Sequence, residues 1–478
     1  MNLGYISRKI GLGSPEQLQG HSSLEGLIDA EIDKPTSYVG KVTKNAELGP
    51  WPEELTYSLP DRIARLREAR RRYDKNQEKH DPDSLEFQNE SEYIEENIRV
   101  RKTDYVHFAH NGQYQDAQIQ LRVWYFWLNH FTVVDDGPHD MIGDFWSVTI
   151  AEGVRGKFND ILYQVTAHPA MLTYLDNIYN VGPRSRKALE CGNDPTCSVG
   201  LNDNLARELL ELHSVSPSAG YTETDIHNAA KVLAGWGNTF DRRDAWSRQP
   251  SNWREPWDSI QSEPGTKRVM GLEIPSGKKG LRKLTDFLAR HESTVDFLSR
   301  KLLRHFVGLE YSEADYEQVR NTWISTDGHL PSVHKVVLRL AVERQLPSVV
   351  WPTTWCFMVL RGLGADYFRG YSEVHANNMS GYEDDPDYLL REMGSSFWSR
   401  RQPNGFSDDP KDWLSTELLA RKIRFAGLAY DRGRNRRTAD EFIARMGFSA
   451  SLNDKLSTIT HDRSRFIAAA CSPEMMEV

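Results

Sequence analysis

Cysteine is scarce, four among 478 residues. No two of the four form a C-x-x-C pair, which excludes a zinc ribbon or a thioredoxin-like redox motif. Cys191 and Cys197 bracket GNDPT, a turn-rich loop that either closes as a small disulfide or carries two free thiols. Cys356 and Cys471 read as small buried apolar residues. Long apolar runs are missing as well, and none approaches the roughly 18 residues of a membrane span. The chain holds no P-loop, G-x-G-x-x-G, G-x-S-x-G, H-E-x-x-H or E-x-x-H, so no motif of those nucleotide, hydrolase or helical metal classes stands in it. Its GLGSPEQ is a turn before a short helix, too degenerate for a phosphate loop. Excess positive charge is absent too: a net charge of −9 and a pI near 6.0 give no electrostatic case for nucleic acid. The opening MNLGYISRKIGLG has neither the apolar core nor the cleavage site of a signal peptide. As written the chain reads as cytoplasmic, or as periplasmic or secreted if a leader was trimmed.

What remains is the composition of a soluble folded protein, 39% hydrophobic and 27% charged. Strand signals are few and the helix period dominates, so the expected fold class is all-α, a multi-helix bundle with long irregular loops. Three stretches are expected: 1–92 as an N-terminal helical segment with a linker, 93–310 as a central helical core, and 311–478 as a C-terminal helical region. Residues 61–73 predict a helix with Ile63 and Leu66 inward and Arg62, Arg65, Arg70, Arg71 and Arg72 on a solvated face. Helix is expected again from about Tyr93 through QLRVWYFWLNHF. His168, just before Pro169, marks a helix start. Thr222 with Asp225, and Thr438 with Glu441, read as capping boxes. Between Phe240 and Gly280 the sequence is irregular and rich in Trp, Pro and Gly.

The segment NDNLARELLELHSV, residues 202–215, carries the densest polar chemistry. At about 100° per residue, Leu205, Ala206, Leu209, Leu210 and Leu212 share one face, with His213 in their midst. Asn204, Glu208 and Glu211 fall together on the opposite side, beside Arg207. One helix therefore cannot bring His213 and both glutamates onto a single ion. The i,i+3 spacing does set Glu208 and Glu211 side by side, Cβ atoms roughly 5–6 Å apart. Two carboxylates that close stay solvated, share a proton, or are bridged by an arginine or a cation.

Two readings follow. In the first the protein is an acid–base or metal-assisted enzyme, a hydrolase for instance. Glu208, Glu211, Arg207 and His130 then form the catalytic group, and Glu208, Glu211 and His213 are candidate ligands of a divalent metal. Trp246, Trp253, Trp257 and Asp176 would contact a small-molecule or saccharide substrate, since indole faces stack on sugars. In the second the protein is a non-catalytic binding or scaffold protein with a protein partner, and the same residues are a structural polar network. A helix-turn-helix reading of 208–235 fails, because the link from Pro217 to Tyr221 is long and the second helix offers few cations beyond Lys231.

Seven segments, IGLGSPEQL, WLNHF, HPAMLTYLDN, GLNDNLARELLELHSV, GYTETDIHNAAKVLAGW, HESTVDFLSRKLLRHFV and MGSSFWSRRQPNGFSDDPKDWLS, follow one another in the order of one bacterial family. From about residue 5 to about residue 430 the chain resembles the domain-of-unknown-function family numbered eighteen hundred. The resemblance implies a largely helical fold, often with an export signal, and brings no activity with it. Two positions depart from the family pattern: Leu128 and Ser262 stand where members often have histidine.

Overall fold

Two helices with apolar residues on every side set the architecture. Gln118–His130 and Pro352–Leu363 are buried at every position, and the other helices wrap around them. The structure, a computed structural model, describes residues 1–34, 57–81, 84–90, 92–134, 141–192, 197, 199–237, 253–367, 390–398 and 402–478. In chain order the helices begin α1 (Leu3–Lys9), α2 (Leu24–Asp33), α3 (Leu59–Lys79), α4 (Leu85–Glu90), α5 (Glu92–Tyr114) and α6 (Gln118–His130). There follow α7 (Ile142–Asp144), α8 (Ala151–Gly153), α9 (Phe158–Ala167), α10 (Pro169–Tyr174), α11 (Arg186–Cys191), α12 (Asn204–Glu211) and α13 (Glu223–Leu233). The rest are α14 (Lys279–Arg290), α15 (Glu292–Phe306), α16 (Glu313–Ser325), α17 (Leu330–Arg344), α18 (Pro352–Leu363), α19 (Thr416–Arg432), α20 (Ala439–Met446), α21 (Ala450–Ser457), α22 (Asp462–Ala470) and α23 (Pro473–Met476). The all-α expectation holds, and a continuous hydrophobic core draws residues from Ile6 to Val478.

Helix boundaries follow local chemistry where the sequence supplies it. Both expected capping boxes form, Thr222 with Asp225 and Thr438 with Glu441. His168 starts α10 by accepting the Ala170 N–H on Nδ1 at 3.1 Å, ahead of Pro169. Histidine caps two more helices, His291 before α15 and His461 before α22, a role usually filled by Ser, Thr, Asp or Asn.

Other boundaries are set by distant residues. The helix expected from Tyr93 to Phe131 breaks between Tyr114 and Gln118. Arg361 of α18 donates to the Gly112 and Gln115 carbonyls at 3.0 and 2.8 Å, consuming acceptors that a continuous helix would use. Arg62 is likewise not on the solvated face of α3. It is buried and pairs two nitrogens with the two oxygens of Asp104, at 2.8 and 3.0 Å. Ile63 and Leu66 do point inward.

The irregular region after Phe240 contains a small antiparallel hairpin, β1 (Lys267–Val269) and β2 (Leu272–Ile274), with Val269 opposite Leu272. Its two-residue turn places Met270 and Gly271 both at positive φ, 45° and 82°, as the twist of a tight hairpin requires. Asp225, which caps α13, also accepts the Met270 N–H at 2.6 Å, so one carboxylate fixes the helix start and the hairpin turn. Cys191 and Cys197 are joined as a disulfide, while Cys356 and Cys471 are free thiols, the first buried and the second half-buried. Among the described residues no helix is long and apolar enough to cross a membrane.

Candidate functional site

The polar segment of 202–215 folds as a shorter helix than its periodicity suggests. α12 ends at Glu211, and the His213 N–H returns to the Glu208 carbonyl at 3.0 Å. The two faces separate as the helical angle requires. Leu205, Ala206, Leu209, Leu210 and His213 are fully buried, whereas Arg207, Glu208 and Glu211 stay half-exposed.

Arg207 is the hub of the outer face. Its guanidinium contacts Asp203 at 3.2 Å, Glu211 at 3.5 Å and both oxygens of Glu223 at 2.9 and 3.1 Å. Since Glu223 opens α13, this ion-pair set clamps the two packed helices together. The hydrogen bonds to Glu223 raise the Arg207 pKa and hold the Glu223 carboxyl below its ordinary range. Tyr221 is pushed up to about 12 by burial and by the neighbouring Glu211.

Glu208 stands apart in this group. Among the described residues its carboxylate makes no hydrogen bond and no ion pair, because the donors of Arg207 are directed to the other three acids. Partial burial, and then the adjacent Glu211, raise its pKa above the usual carboxylate value, with Arg207 opposing.

The remaining expected site residues lie elsewhere. His130 is buried, with Nε2 against the His213 carbonyl at 3.3 Å and Nδ1 against Lys301 Nζ at 3.1 Å. Asp176 is an exposed turn residue at φ 57°, directly before Asn177 and Ile178, which are buried. Trp253 and Trp257 are half-buried against the core. Trp253 lies under Arg67, and Trp257 makes a backbone bridge to Trp236, just past α13. Trp246 lies outside the described residues. No hydrogen bond, ion pair or ring contact among the described residues joins Asp176, Trp253, Trp257 or His130 to the Glu208 and Glu211 carboxylates.

Among the described residues, one trio offers metal-ligand atoms within 4.8 Å of one another: Asp203, Glu223 and His227. It differs from the sequence-based set of Glu208, Glu211 and His213. Two of its three carboxylate or imidazole groups are bonded to Arg207, so a cation there would have to displace a guanidinium.

Sequence reasoning missed two inner groups. Asp144 is buried between His168 Nε2 at 3.2 Å and Arg254 Nη2 at 2.8 Å. With Nδ1 accepting from Ala170, His168 is held as the neutral tautomer that donates to Asp144. The other gathers His305, whose Nδ1 meets Asp408 at 2.8 Å, and Lys301 one turn earlier on α15. A lysine and a histidine four apart, beside the apolar stripe of Leu298, Leu302 and Phe306 on α15, was the signal available for it.

The chain matches the family model DUF1800, a protein of unknown function, over residues 8–476, and it belongs to that family. The match runs past residue 430 to include the C-terminal helices. No curated protein and no solved structure matches it.

Proposed function

We propose that the protein is an acid–base enzyme of hydrolytic type, with Glu208 as the group that transfers the proton. The observation that carries this reading is the unpaired, half-buried Glu208 carboxylate beside Glu211, on a face where every other acid near Arg207 is neutralised. A carboxyl whose proton is held toward neutral pH can give it to a leaving group or take one from an attacking water. Glu211, tied to Arg207, stays charged and is the second carboxylate of the pair. A saccharide is the substrate class proposed, because one protonated and one charged carboxyl group is the pair that glycosidic cleavage uses. Trp253 and Trp257 are then the stacking faces, and Asp176 a further substrate contact. A divalent metal shared by Glu208 and Glu211 is the alternative form of this reading: it would require Glu208 ionised and Glu211 released from Arg207, and it would supply a polarised water in place of the Glu208 proton.

The test is a screen of chromogenic glycosides and esters with the native chain and Glu208→Gln, with bound metal measured in the same preparations. Glu208→Gln should lower kcat/KM at least ~100-fold, the usual weight of a general acid or base. Its stability should move by no more than about 0.5 kcal/mol at pH 7, as for other partly exposed changes. The direction follows from linkage. A carboxyl with a raised folded pKa contributes stability below its unfolded pKa and loses it as pH rises through the folded value, so the glutamine is neutral or slightly stabilising at pH 7. Glu208→Gln with unchanged turnover and a lowered melting temperature would remove the proposal.

One observation favours the second reading, a scaffold in which this face fixes helix packing: Arg207 joins α12 to the first turn of α13. On that reading Arg207→Met lowers stability by about 1 kcal/mol, a sum of exposed pairs each worth little, and no substrate is turned over by the native chain.

A further inference from the structure

We propose that the pocket framed by the start of α9, the end of α14, the first turn of α15 and the end of α16 binds a neutral, planar aromatic molecule through an N–H or O–H donor that Asn159 Oδ1 accepts. The site is separate from the Glu208 face and does not rest on the acid–base reading.

The pocket has a volume of about 210 Å³. Roughly 150 Å³ of apolar cavity holds one benzene ring, so this space takes a two-ring molecule of indole size. Its inner walls are Phe158, Ala289, Val295 and Trp323, all buried. The Phe158 and Trp323 rings stand 5.4 Å apart with 61° between their planes. They form an aromatic corner against which a third ring packs edge-on or offset. Gly328 keeps that corner clear. It turns the chain after α16 at φ 70°, and a Cβ there would lie 3.2 Å from Trp323 Nε1. Ile324, 55% exposed, continues the apolar surface out to the mouth.

Asn159 is the polar group inside these walls, and it is 8% exposed. Its Nδ2 donates to Asp286 at 2.8 Å, which fixes the orientation of the amide, since the reverse would set two acceptor oxygens against each other. Its Oδ1 is buried and accepts from nothing. A buried acceptor without a donor is uncommon and costs stability. A ligand N–H or O–H supplies the missing donor while the ring covers the apolar walls. A water would serve the oxygen and leave those walls wet.

The charges at the mouth decide against an ionic ligand. Arg290 and Asp327 are joined by two hydrogen bonds, at 2.8 and 3.0 Å, and Lys157 donates to Asp327 at 2.9 Å. These charges are spent on one another, so an ion entering would lose its water between apolar walls without gaining a counter-charge. The same bonds tie the start of α9, the end of α14 and the turn after α16 together. The pocket is thus formed before a ligand arrives, as small-molecule sites usually are.

The experiment titrates the full chain with indole and with 1-methylindole, followed by saturation-transfer difference NMR. The two probes share one ring system, and only indole has a donor. The expected result is saturable binding of indole, with 1-methylindole about five- to tenfold weaker, because it leaves Asn159 Oδ1 unpaired. A crevice that recognised apolar surface alone would prefer the methyl compound, the more hydrophobic of the two. Asn159→Leu should erase the preference by weakening indole. Ala289→Leu, which extends a larger side chain into the pocket, should abolish saturable binding of both probes and serves should Asn159→Leu not fold. Equal or tighter binding of 1-methylindole, no saturable binding of either probe, or binding unchanged in the variants would overturn the proposal.

Discussion

Lowering the pH from 7 to 5 should remove most of the protein's stability. Six histidines, His107, His130, His168, His213, His305 and His334, are buried, and burial holds the pKa of each below the ordinary value of 6.5. For His107, His213 and His334 the folded value falls to about 3. The sign of the effect is fixed. The unfolded chain takes up protons at these sites below pH 6.5 while the folded chain does not, so stability present above that pH is lost as pH falls toward the folded values. His107, His213 and His334 each contribute about 1.4 kcal/mol per pH unit, so at pH 5 the three together cost on the order of 6 kcal/mol, and His130, His168 and His305 act in the same direction. That is comparable with the whole stability of a typical domain, roughly 5–15 kcal/mol.

Geometry supplies a reason beyond burial. The Trp127 indole N–H donates to His334 Nε2 at 2.9 Å, and Ala170 N–H donates to His168 Nδ1, so protonating either nitrogen destroys a bond. Helical ellipticity followed from pH 7 to 4 should show a cooperative loss centred near pH 5. His334→Gln, which retains an acceptor for Trp127, should shift that midpoint to lower pH. A native-like melt at pH 4 would contradict the account of the interior.

Lys9→Met should be the most damaging single change in the N-terminal helix, lowering stability by about 3–5 kcal/mol. The Lys9 side chain is fully buried, and its ammonium donates to the Leu346 and Val478 carbonyls, both at 2.6 Å, to Ser348 Oγ at 2.9 Å and to the Val307 carbonyl at 3.2 Å. Those acceptors come from three separate stretches, after α15, after α17 and at Val478, where Ser348 and Val478 exchange backbone hydrogen bonds. Methionine fills the volume but takes the ammonium donor from the Val307 and Leu346 carbonyls, while the Val478 oxygen keeps its Ser348 donors. Urea denaturation of the two proteins checks this, and a loss below about 1 kcal/mol would show that those acceptors find other partners.

Much of this was legible before the structure, wherever a signal is local. The period of Leu205, Leu209 and Leu210 separates His213 from Glu208 and Glu211, and the structure buries the first while leaving the others half-exposed. Both capping boxes and the His168-Pro169 helix start are three- to four-residue patterns, and they form as read. The hairpin was not legible, because each strand has three residues and its turn begins with Met270, an uncommon residue at positive φ. Arg62 looked solvated because its partner Asp104 is 42 residues away, and the break after Tyr114 depends on Arg361, nearly 250 residues on. Nor could helical angle assemble the outer acidic face, since Asp203, Glu223 and His227 come together only when α12 packs on α13.

The central claim is that Glu208 is an unpaired carboxyl that retains its proton above the usual range. Infrared difference spectra of the carboxyl stretch, titrated in the native chain and in Glu208→Gln, isolate that one group by subtraction. The account predicts a Glu208 titration above its ordinary value of 4.5, absent from the variant. A Glu208 that titrates at or below 4.5 would mean that the carboxylate is paired or fully solvated, and the acid–base reading would fail with it.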